Sequence, residues 1–333
     1  MAAGLGTRLR PLTYDLPKPL VPIVNRPVMD HALALLERHG IVDVVANLNY
    51  LPELMKAYFG DGSAWGIDLS YSEEPKLLGT AGGVRNARDF LGDGTFVVLS
   101  GDGLVSVDLG ELGAAHKRNG GVATLALQRV ADTRNYGVVI LDEDGRVEGF
   151  QEKPDPADAR SDLGNCGIYI FEPEIFDYFP DADFVDWAND VFPALLVGDV
   201  PFYGHQTNAY WNDVGNTAAY KSSNFDALAG HAGVELAGVQ REPGLLIDSD
   251  CEIGSIQFDG GPVLIGKGST VGDGVRLAGP LVVGPGSRIG KDSALSASII
   301  LPGAQIPAGT VLVDGIAADR SAVVEWLKLG RSK

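Results

Sequence analysis

The sequence of 333 residues lacks the hallmarks of several protein classes. It has only two cysteines, Cys166 and Cys251, which lie far apart without metal-ligand spacing, so we expect both to be reduced and structural. It has no apolar run of about 18 residues and no signal-peptide pattern, which excludes a membrane-spanning helix and favours a cytoplasmic protein. Positive charge is scarce: 26 Lys and Arg against 44 Asp and Glu leave a net charge of −18, which argues against nucleic acid or an anionic membrane as partner.

The length predicts two domains, because a typical domain has about 150 residues. Up to about residue 225, apolar runs alternate with segments of helical periodicity, which predicts an α/β sheet domain. The predicted strands are Val42–Leu48, Thr95–Ser100, Val122–Val130, Val138–Leu141 and Cys166–Phe171. The predicted helices are Val28–Arg38, Pro52–Phe59, Ala81–Phe90 and Val185–Leu196.

From about residue 245 the periodicity changes to six. Aliphatic residues occupy ten of the twelve positions in phase from Ile247 to Val313, and the exceptions are Asp259 and Pro307. Gly follows five of these positions, at 254, 266, 272, 284 and 290. Such a hexapeptide repeat predicts a β-helix of about four coils with three short faces, in which aliphatic residues point inward and Gly turns the corners. The closing segment, Ala317–Leu329, predicts a short amphipathic helix that covers the end of the repeat.

A basic loop lies at the start of this acidic chain. Gly4 and Gly6 allow the backbone to approach a ligand and to turn its N–H groups toward an anion, and Thr7 follows them. Arg8 and Lys18 supply positive charge, which predicts a phosphate-binding loop.

At these residues the sequence resembles the sugar-1-phosphate nucleotidyltransferases, and the likeness continues in family order over about 215 residues. It is carried by the N-terminal loop, Leu78-Gly79-Thr80-Ala81-Gly82-Gly83, Ser100-Gly101-Asp102, Tyr136-Gly137-Val138, Glu152-Lys153-Pro154, Asn165-Cys166-Gly167 and Trp211-Asn212-Asp213-Val214-Gly215. The resemblance implies a Rossmann-like mixed sheet nucleotidyltransferase domain followed by a left-handed β-helix. We place the catalytic domain at 1–228, a linker at 229–244, the β-helix at 245–315 and a C-terminal helix at 316–333.

Family members begin with a hydrophobic strand before Ala-Ala-Gly, whereas here Met1 directly precedes Ala2. We therefore expect that the first strand is missing or truncated and that the native start lies upstream of Met1.

The implied reaction joins a nucleoside triphosphate and a sugar 1-phosphate into a nucleotide-sugar and releases pyrophosphate. Asp102 follows an apolar strand, at the edge where open α/β sheets bind ligands, and Asp213 lies on a distant loop. Two carboxylates from separate loops suit Mg²⁺, and by resemblance both are its ligands. Arg8, Lys18, Asp102, Lys153 and Asp213 form the implied catalytic set.

The remaining roles are also implied by the resemblance. Lys153 holds the sugar phosphate, while Glu152, Asn165 and Gly137 meet the sugar. Gly79, Thr80 and Gly82 belong to the loop that meets the base. Glu74 occupies a position where thymidylyl and uridylyl enzymes often carry Gln, and a carboxylate there can accept from both N1–H and N2–H₂ of guanine.

The sequence therefore favours GTP with mannose 1-phosphate as substrates. Thymidylyl or uridylyl transfer to glucose 1-phosphate is the alternative within the family, and a non-catalytic regulatory paralogue that binds nucleotide-sugar is the alternative from another class. We expect the β-helix to mediate homo-oligomerisation, because its stacked coils leave flat faces and an open end.

Overall fold

The computed structural model describes residues 1–329. They form two compact units, each built from more than one segment of the chain. The first unit comprises 1–4, 32–52 and 61–211, and the second comprises 5–31, 53–60 and the chain from 212 onward. None of the helices among residues 1–329 combines the length and the apolar character that crossing a membrane requires.

The α-helices are α1 (Val28–Arg38), α2 (Pro52–Phe59), α3 (Gly79–Asn86), α4 (Arg88–Leu91), α5 (Leu109–Asn119), α6 (Phe192–Val197), α7 (Thr217–Leu228) and α8 (Arg320–Leu329). Short 3-10 helices cover Thr7–Leu9, Lys18–Leu20, Ser63–Trp65, Thr133–Asn135 and Pro173–Tyr178, and a π-helix covers Trp187–Val191. Capping side chains explain several starts: the carboxylate of Asp108 accepts from the Glu111 N–H before α5, and the amide oxygen of Asn216 accepts from the Ala219 N–H before α7.

The strands up to residue 213 are β1 (Pro22–Ile23), β2 (Arg26–Pro27), β3 (Asp43–Leu48), β4 (Asp68–Glu73), β5 (Phe96–Leu99), β6 (Gly103–Val105), β7 (Ala123–Arg129), β8 (Gly137–Leu141), β9 (Val147–Glu152), β10 (Leu163–Phe171), β11 (Tyr203–Gln206) and β12 (Trp211–Asp213). The five strands predicted from the sequence form. Two helix predictions were wrong in part: the helix predicted at Ala81–Phe90 is interrupted at Ala87, and the segment predicted at Val185–Leu196 begins as the π-helix. The π-helix starts at Trp187 because Asp186 caps it by accepting from two backbone N–H groups.

The first unit is organised around a mixed sheet, which confirms the predicted fold class. Its order is β11-β7-β10-β8-β9, and β5 pairs with the second half of β10. β11 runs parallel to β7, while the other neighbours are antiparallel. A separate parallel pair joins β3 and β4. The core against the mixed sheet combines aliphatic residues with a cluster of aromatic rings, in which Phe171 stacks on Trp187 at 4.5 Å between ring centroids.

The second unit contains the β-solenoid that the hexapeptide repeat predicts. Its strands are β13 (Val239–Glu242), β14 (Leu245–Ile247), β15 (Glu252–Ile253), β16 (Ile256–Phe258), β17 (Val263–Ile265), β18 (Thr270–Val271), β19 (Val275–Val283), β20 (Arg288–Ile289), β21 (Ala294–Ile300), β22 (Gln305–Ile306), β23 (Val311–Val313) and β24 (Ile316–Ala317). Successive coils pair in parallel on three faces, as in β14-β17-β19, β15-β18-β20 and β16-β19-β21. β13 lies within the segment predicted as a linker.

Steric contact with the next coil explains why glycine occupies corners of the solenoid. A Cβ added to Gly284 would lie 2.3 Å from the Pro302 nitrogen, and one added to Gly290 would lie 2.4 Å from the Ala308 nitrogen. The backbone of the next coil therefore leaves no room for a side chain at these corners. The predicted closing helix forms as α8, which begins at Arg320, and residues 330–333 of that prediction lie outside the described residues.

Candidate active site

Three residues predicted to contact the sugar lie at neighbouring register positions on three adjacent strands of the mixed sheet in the first unit. β8 and β9 pair with Gly137 directly opposite Glu152. On its other side β8 pairs with β10 through Val138 and Gly164, and this register places Asn165 beside Gly137. Opposed residues of antiparallel strands project to the same face, so the sheet gathers these three positions. Gly137 keeps the face open, because a Cβ there would lie 3.2 Å from Oε2 of Glu152.

Lys153 directly follows β9 and has a positive φ of 46°. Its N–H donates to the Tyr136 carbonyl at 3.2 Å, and its ammonium group pairs with the Glu152 carboxylate. Both side chains are exposed. The structure thus places a cation and a hydrogen-bond acceptor side by side next to Gly137.

Asn165 is held by two hydrogen bonds. Its Nδ2 donates to the Tyr169 hydroxyl at 2.9 Å, and its Oδ1 accepts from the Gly167 N–H at 3.0 Å. The register of β10 against β7 shifts between Asn165 and Tyr169, so a β-bulge sits at this position. Burial raises the pKa of Tyr169, which keeps its hydroxyl protonated and able to fix the amide.

The segment Gly79–Gly82 starts α3 and packs against Val185. Gly79 has a φ of 84°, and a Cβ there would lie 2.3 Å from the Val185 carbonyl oxygen, which accepts from the N–H groups of Ala81 and Gly82. The Thr80 hydroxyl donates to Asp186 at 2.7 Å and accepts from the Trp187 N–H at 3.0 Å. In this structure these residues meet other parts of the same unit, and their role toward a base stays a prediction.

Glu74 is buried, with 3% of its surface exposed. Its Oε1 accepts from Nδ2 of Asn47 at 2.7 Å, and its Oε2 accepts from the Leu78 N–H at 3.0 Å. Oε2 thus orders the segment that leads to Gly79, while Oε1 ties Glu74 to β3. The arrangement gives Glu74 a structural task that the sequence analysis missed, and its predicted contact with guanine remains untested.

The first unit also carries Asp102 and Gly4. Asp102 lies between β5 and β6 and is half-buried, at the end of an apolar strand as the sequence predicts. Gly4 is exposed, and a Cβ there would meet nothing within 4 Å.

In the second unit, the basic loop begins at Gly6. This residue adopts a left-handed conformation, with φ 62° and ψ 27°, immediately before the 3-10 helix that contains Thr7 and Arg8. The Thr13 hydroxyl donates to the Gly6 carbonyl at 2.7 Å and closes the loop. A Cβ at Gly6 would lie 3.2 Å from the Lys18 Cβ, so glycine lets the loop lie against Lys18.

Lys18 and Asp213 meet although 195 residues separate them in the chain. Lys18 Nζ donates to Oδ1 of Asp213 at 2.9 Å, and Nη2 of Arg8 lies 3.9 Å from Oδ2. The Lys18 side chain is 8% exposed, whereas those of Arg8 and Asp213 are 63% and 36% exposed. Two cations therefore flank one carboxylate, and of the three side chains Arg8 and Asp213 are open to solvent.

Gly215 is a residue of this cluster that the sequence analysis did not assign. A Cβ there would lie 2.9 Å from Oδ2 of Asp213 and 3.3 Å from Nη2 of Arg8. The motif Trp211-Asn212-Asp213-Val214-Gly215 was the available signal, but nothing in it indicates that Gly215 and Arg8 are neighbours.

Asp102 in the first unit and Asp213 in the second each have the chemistry of a magnesium ligand. Each is a carboxylate that is not fully buried, and Mg²⁺ uses one or two carboxylates and completes its shell with water and phosphate. Across residues 1–329 no group of three or more His, Cys, Asp or Glu side chains could hold a metal by itself.

Comparison with known proteins adds independent findings. Residues 1–229 match the family model described as nucleotidyl transferase. A UTP–glucose-1-phosphate uridylyltransferase of Synechocystis is 36% identical over 97% of this chain and 87% of its own length. A mannose-1-phosphate guanylyltransferase of Mycobacterium tuberculosis is 37% identical over 83% of this chain and 77% of its own length. A crystal structure of a Bacillus anthracis protein assigned as a glucose-1-phosphate thymidylyltransferase has a TM-score of 0.63 at 23% identity and covers 71% of this chain and 95% of its own, a likeness of fold.

Proposed function

This chain belongs to the nucleotidyl transferase family, and we propose that it joins GTP and mannose 1-phosphate into GDP-mannose with release of pyrophosphate. The general activity, transfer of a nucleoside monophosphate to a sugar 1-phosphate, is common to the named relatives that cover most of the chain. The choice of GTP and mannose 1-phosphate is the specific part of the proposal. It is supported by the mannose-1-phosphate guanylyltransferases among the relatives and by the carboxylate at position 74.

The contact of Lys18 with Asp213 carries the proposal. In nucleotidyl transfer, an oxygen of the sugar phosphate attacks the α-phosphorus of the triphosphate in line, and pyrophosphate leaves on the opposite side. Such a reaction depends on positioning and charge neutralisation more than on a protein nucleophile. The positive charges of Arg8 and Lys18 would neutralise part of the triphosphate charge. Gly6, in its left-handed conformation and without a side chain, would let the loop backbone come close to the phosphates.

The sugar phosphate would bind at the level of Gly137. Lys153 would pair with its phosphate, Glu152 and Asn165 would bind the sugar hydroxyls, and Gly137 would let the ring approach the sheet. The support is the register that aligns Gly137, Glu152 and Asn165 on three neighbouring strands.

Asp102 and Asp213 would hold Mg²⁺. Bound there, the ion would offset the negative charge of the phosphates, which is its usual contribution to phosphoryl transfer. Lys18 keeps the Asp213 side chain oriented by its hydrogen bond.

A second pair, UTP with glucose 1-phosphate, is favoured by two observations. The Synechocystis uridylyltransferase covers 97% of the chain. In addition, Glu74 is only 3% exposed and both of its oxygens already accept hydrogen bonds from within the first unit, so little of the carboxylate is open to guanine.

The test is a matrix of five nucleoside triphosphates against mannose, glucose and N-acetylglucosamine 1-phosphates, with Mg²⁺ and with pyrophosphate release as the readout. We expect the highest kcat/KM for GTP with mannose 1-phosphate. A maximum at UTP and glucose 1-phosphate would select the second pair. Tight binding of a nucleotide-sugar without turnover in any cell of the matrix would identify a regulatory paralogue.

Self-association through the solenoid is a further part of the proposal. Val239, Val311 and Val313 lie on solenoid strands and are 69%, 73% and 63% exposed. Exposed valines on strands favour burial against another surface. Light scattering of the full chain should give a mass above the monomer's 35.1 kDa.

A further inference from the structure

The hairpin of β1 and β2 contacts the solenoid through the side chain of Asn25. Nδ2 of Asn25, at the tip of the hairpin, donates to the Val283 carbonyl at 3.0 Å. That carbonyl also accepts from the Gly266 N–H at 2.8 Å, as part of the ladder between successive coils. A Cβ at Gly266 would lie 2.7 Å from Nδ2 of Asn25, so a glycine of the hexapeptide repeat makes room for the amide.

The hairpin is held in a strained conformation. Val24 and Asn25 both have positive φ, 42° and 70°, which a β-branched residue such as Val24 rarely adopts. The Val24 N–H donates to Oδ1 of Asn224, and the Tyr220 hydroxyl donates to the Pro22 carbonyl at 2.9 Å. A conformation of this kind persists only when its surroundings fix it. Here α7 fixes the base of the turn, and the solenoid fixes its tip.

The hairpin continues directly into the predicted phosphate loop. Leu20, Val21 and Ile23 are fully buried, and the N–H groups of Leu20 and Val21 donate to the carbonyls of Pro17 and Lys18. Only five residues lie between Lys18 and Val24, and all five are buried, which leaves them little freedom to adjust. A displacement of the hairpin tip would therefore reach Lys18.

We propose that Asn25 is a positioning residue through which the β-solenoid sets the place of Lys18 in the active site. The solenoid would then be part of the catalytic apparatus of the second unit, in addition to any role in assembly. This inference rests on the proposed function, because it assumes that Lys18 binds the triphosphate.

The test compares variants of Asn25 with a matched contact elsewhere on the solenoid. Asn25→Gly removes the amide and tolerates the positive φ, while Asn25→Asp keeps the shape and turns an acceptor toward the Val283 carbonyl. Lys221→Gln is the control, because Lys221 on α7 pairs with Asp314 of the solenoid but is not part of the hairpin.

We expect kcat/KM for the triphosphate to fall by about tenfold in Asn25→Gly and at least as much in Asn25→Asp, since small displacements of catalytic groups are costly. Lys221→Gln should keep the wild-type value. In a Lys18→Gln background, Asn25→Gly should lower the remaining activity by less than about threefold, because its effect passes through Lys18.

Retention of more than half of the wild-type kcat/KM in Asn25→Gly would overturn the inference, and so would an equal loss with and without Lys18. Absence of turnover in the wild type would instead refute the proposed function. Amide hydrogen exchange adds a readout independent of turnover: exchange at Leu20 and Val21 should accelerate in Asn25→Gly and not in Lys221→Gln. Equal exchange rates in both variants would contradict the inference.

Discussion

Replacement of Lys18 by glutamine tests whether its contact with Asp213 serves catalysis or stability. The change removes a charge that lies 2.9 Å from a carboxylate, but Asp213 keeps 36% of its side chain in water. Solvent screening limits the worth of such a pair to about 1 kcal/mol. In a chain of this size that loss shifts the melting temperature by only about 2 °C.

The catalytic effect should be much larger. Loss of one charged donor to developing phosphate charge costs about 3 kcal/mol, which corresponds to about 10²-fold in kcat/KM. Pyrophosphate release at varied triphosphate and sugar phosphate concentrations, together with thermal unfolding, separates the two effects.

Lys221→Gln supplies the matched control. Lys221 also pairs with an aspartate, Asp314, and its side chain is 17% exposed. It should lose similar stability and keep full activity. A Lys18→Gln enzyme with more than about a third of the wild-type kcat/KM would refute the reasoning, as would equal losses of activity in both variants.

Three further predictions concern separate parts of the first and second units. Gly137→Ala should raise the KM for the sugar phosphate several-fold, since the new Cβ would lie 3.2 Å from Oε2 of Glu152, whereas Gly149→Ala, equally close to Ile140, should not. Glu74→Gln should lower the ratio of kcat/KM for GTP to kcat/KM for UTP. An unchanged ratio would show that Glu74 has a structural role and does not select the base. Burial lowers the pKa of His31 from 6.5 to about 4, so folding keeps this imidazole neutral. The contribution of neutral His31 to the free energy of unfolding should therefore be complete above pH 6.5, and about 3 kcal/mol of it should be lost as the pH drops to 4. Urea unfolding at several pH values should show this decrease, and His31→Gln should reduce it.

Periodic features of the fold could be predicted from the sequence. The hexapeptide repeat predicted a solenoid with three faces, because one aliphatic residue in every six must point inward. The structure confirms this prediction, since successive coils pair in parallel. The apolar run before Asp102 likewise predicted both the strand and the placement of the carboxylate at its end.

Contacts between distant segments could not be predicted from the residues alone. The pairing of Lys18 with Asp213 depends on how segments 5–31 and 212 onward pack together, and no local pattern encodes it. For the same reason the sequence did not reveal the contact of Gly79 with the Val185 carbonyl, while the predicted role of Gly79 toward a ligand stays a prediction. The sequence also gave no sign that Gly266 accommodates Asn25.

The central claim is that the chain transfers a nucleoside monophosphate to a sugar 1-phosphate with a triphosphate held by the loop of Arg8 and Lys18. Its most direct test follows pyrophosphate and nucleotide-sugar together in reactions of GTP, mannose 1-phosphate and Mg²⁺. We predict equal amounts of both products in the wild type and about 10²-fold slower formation of both in Lys18→Gln. Pyrophosphate without nucleotide-sugar, or undiminished formation of both in Lys18→Gln, would contradict the claim.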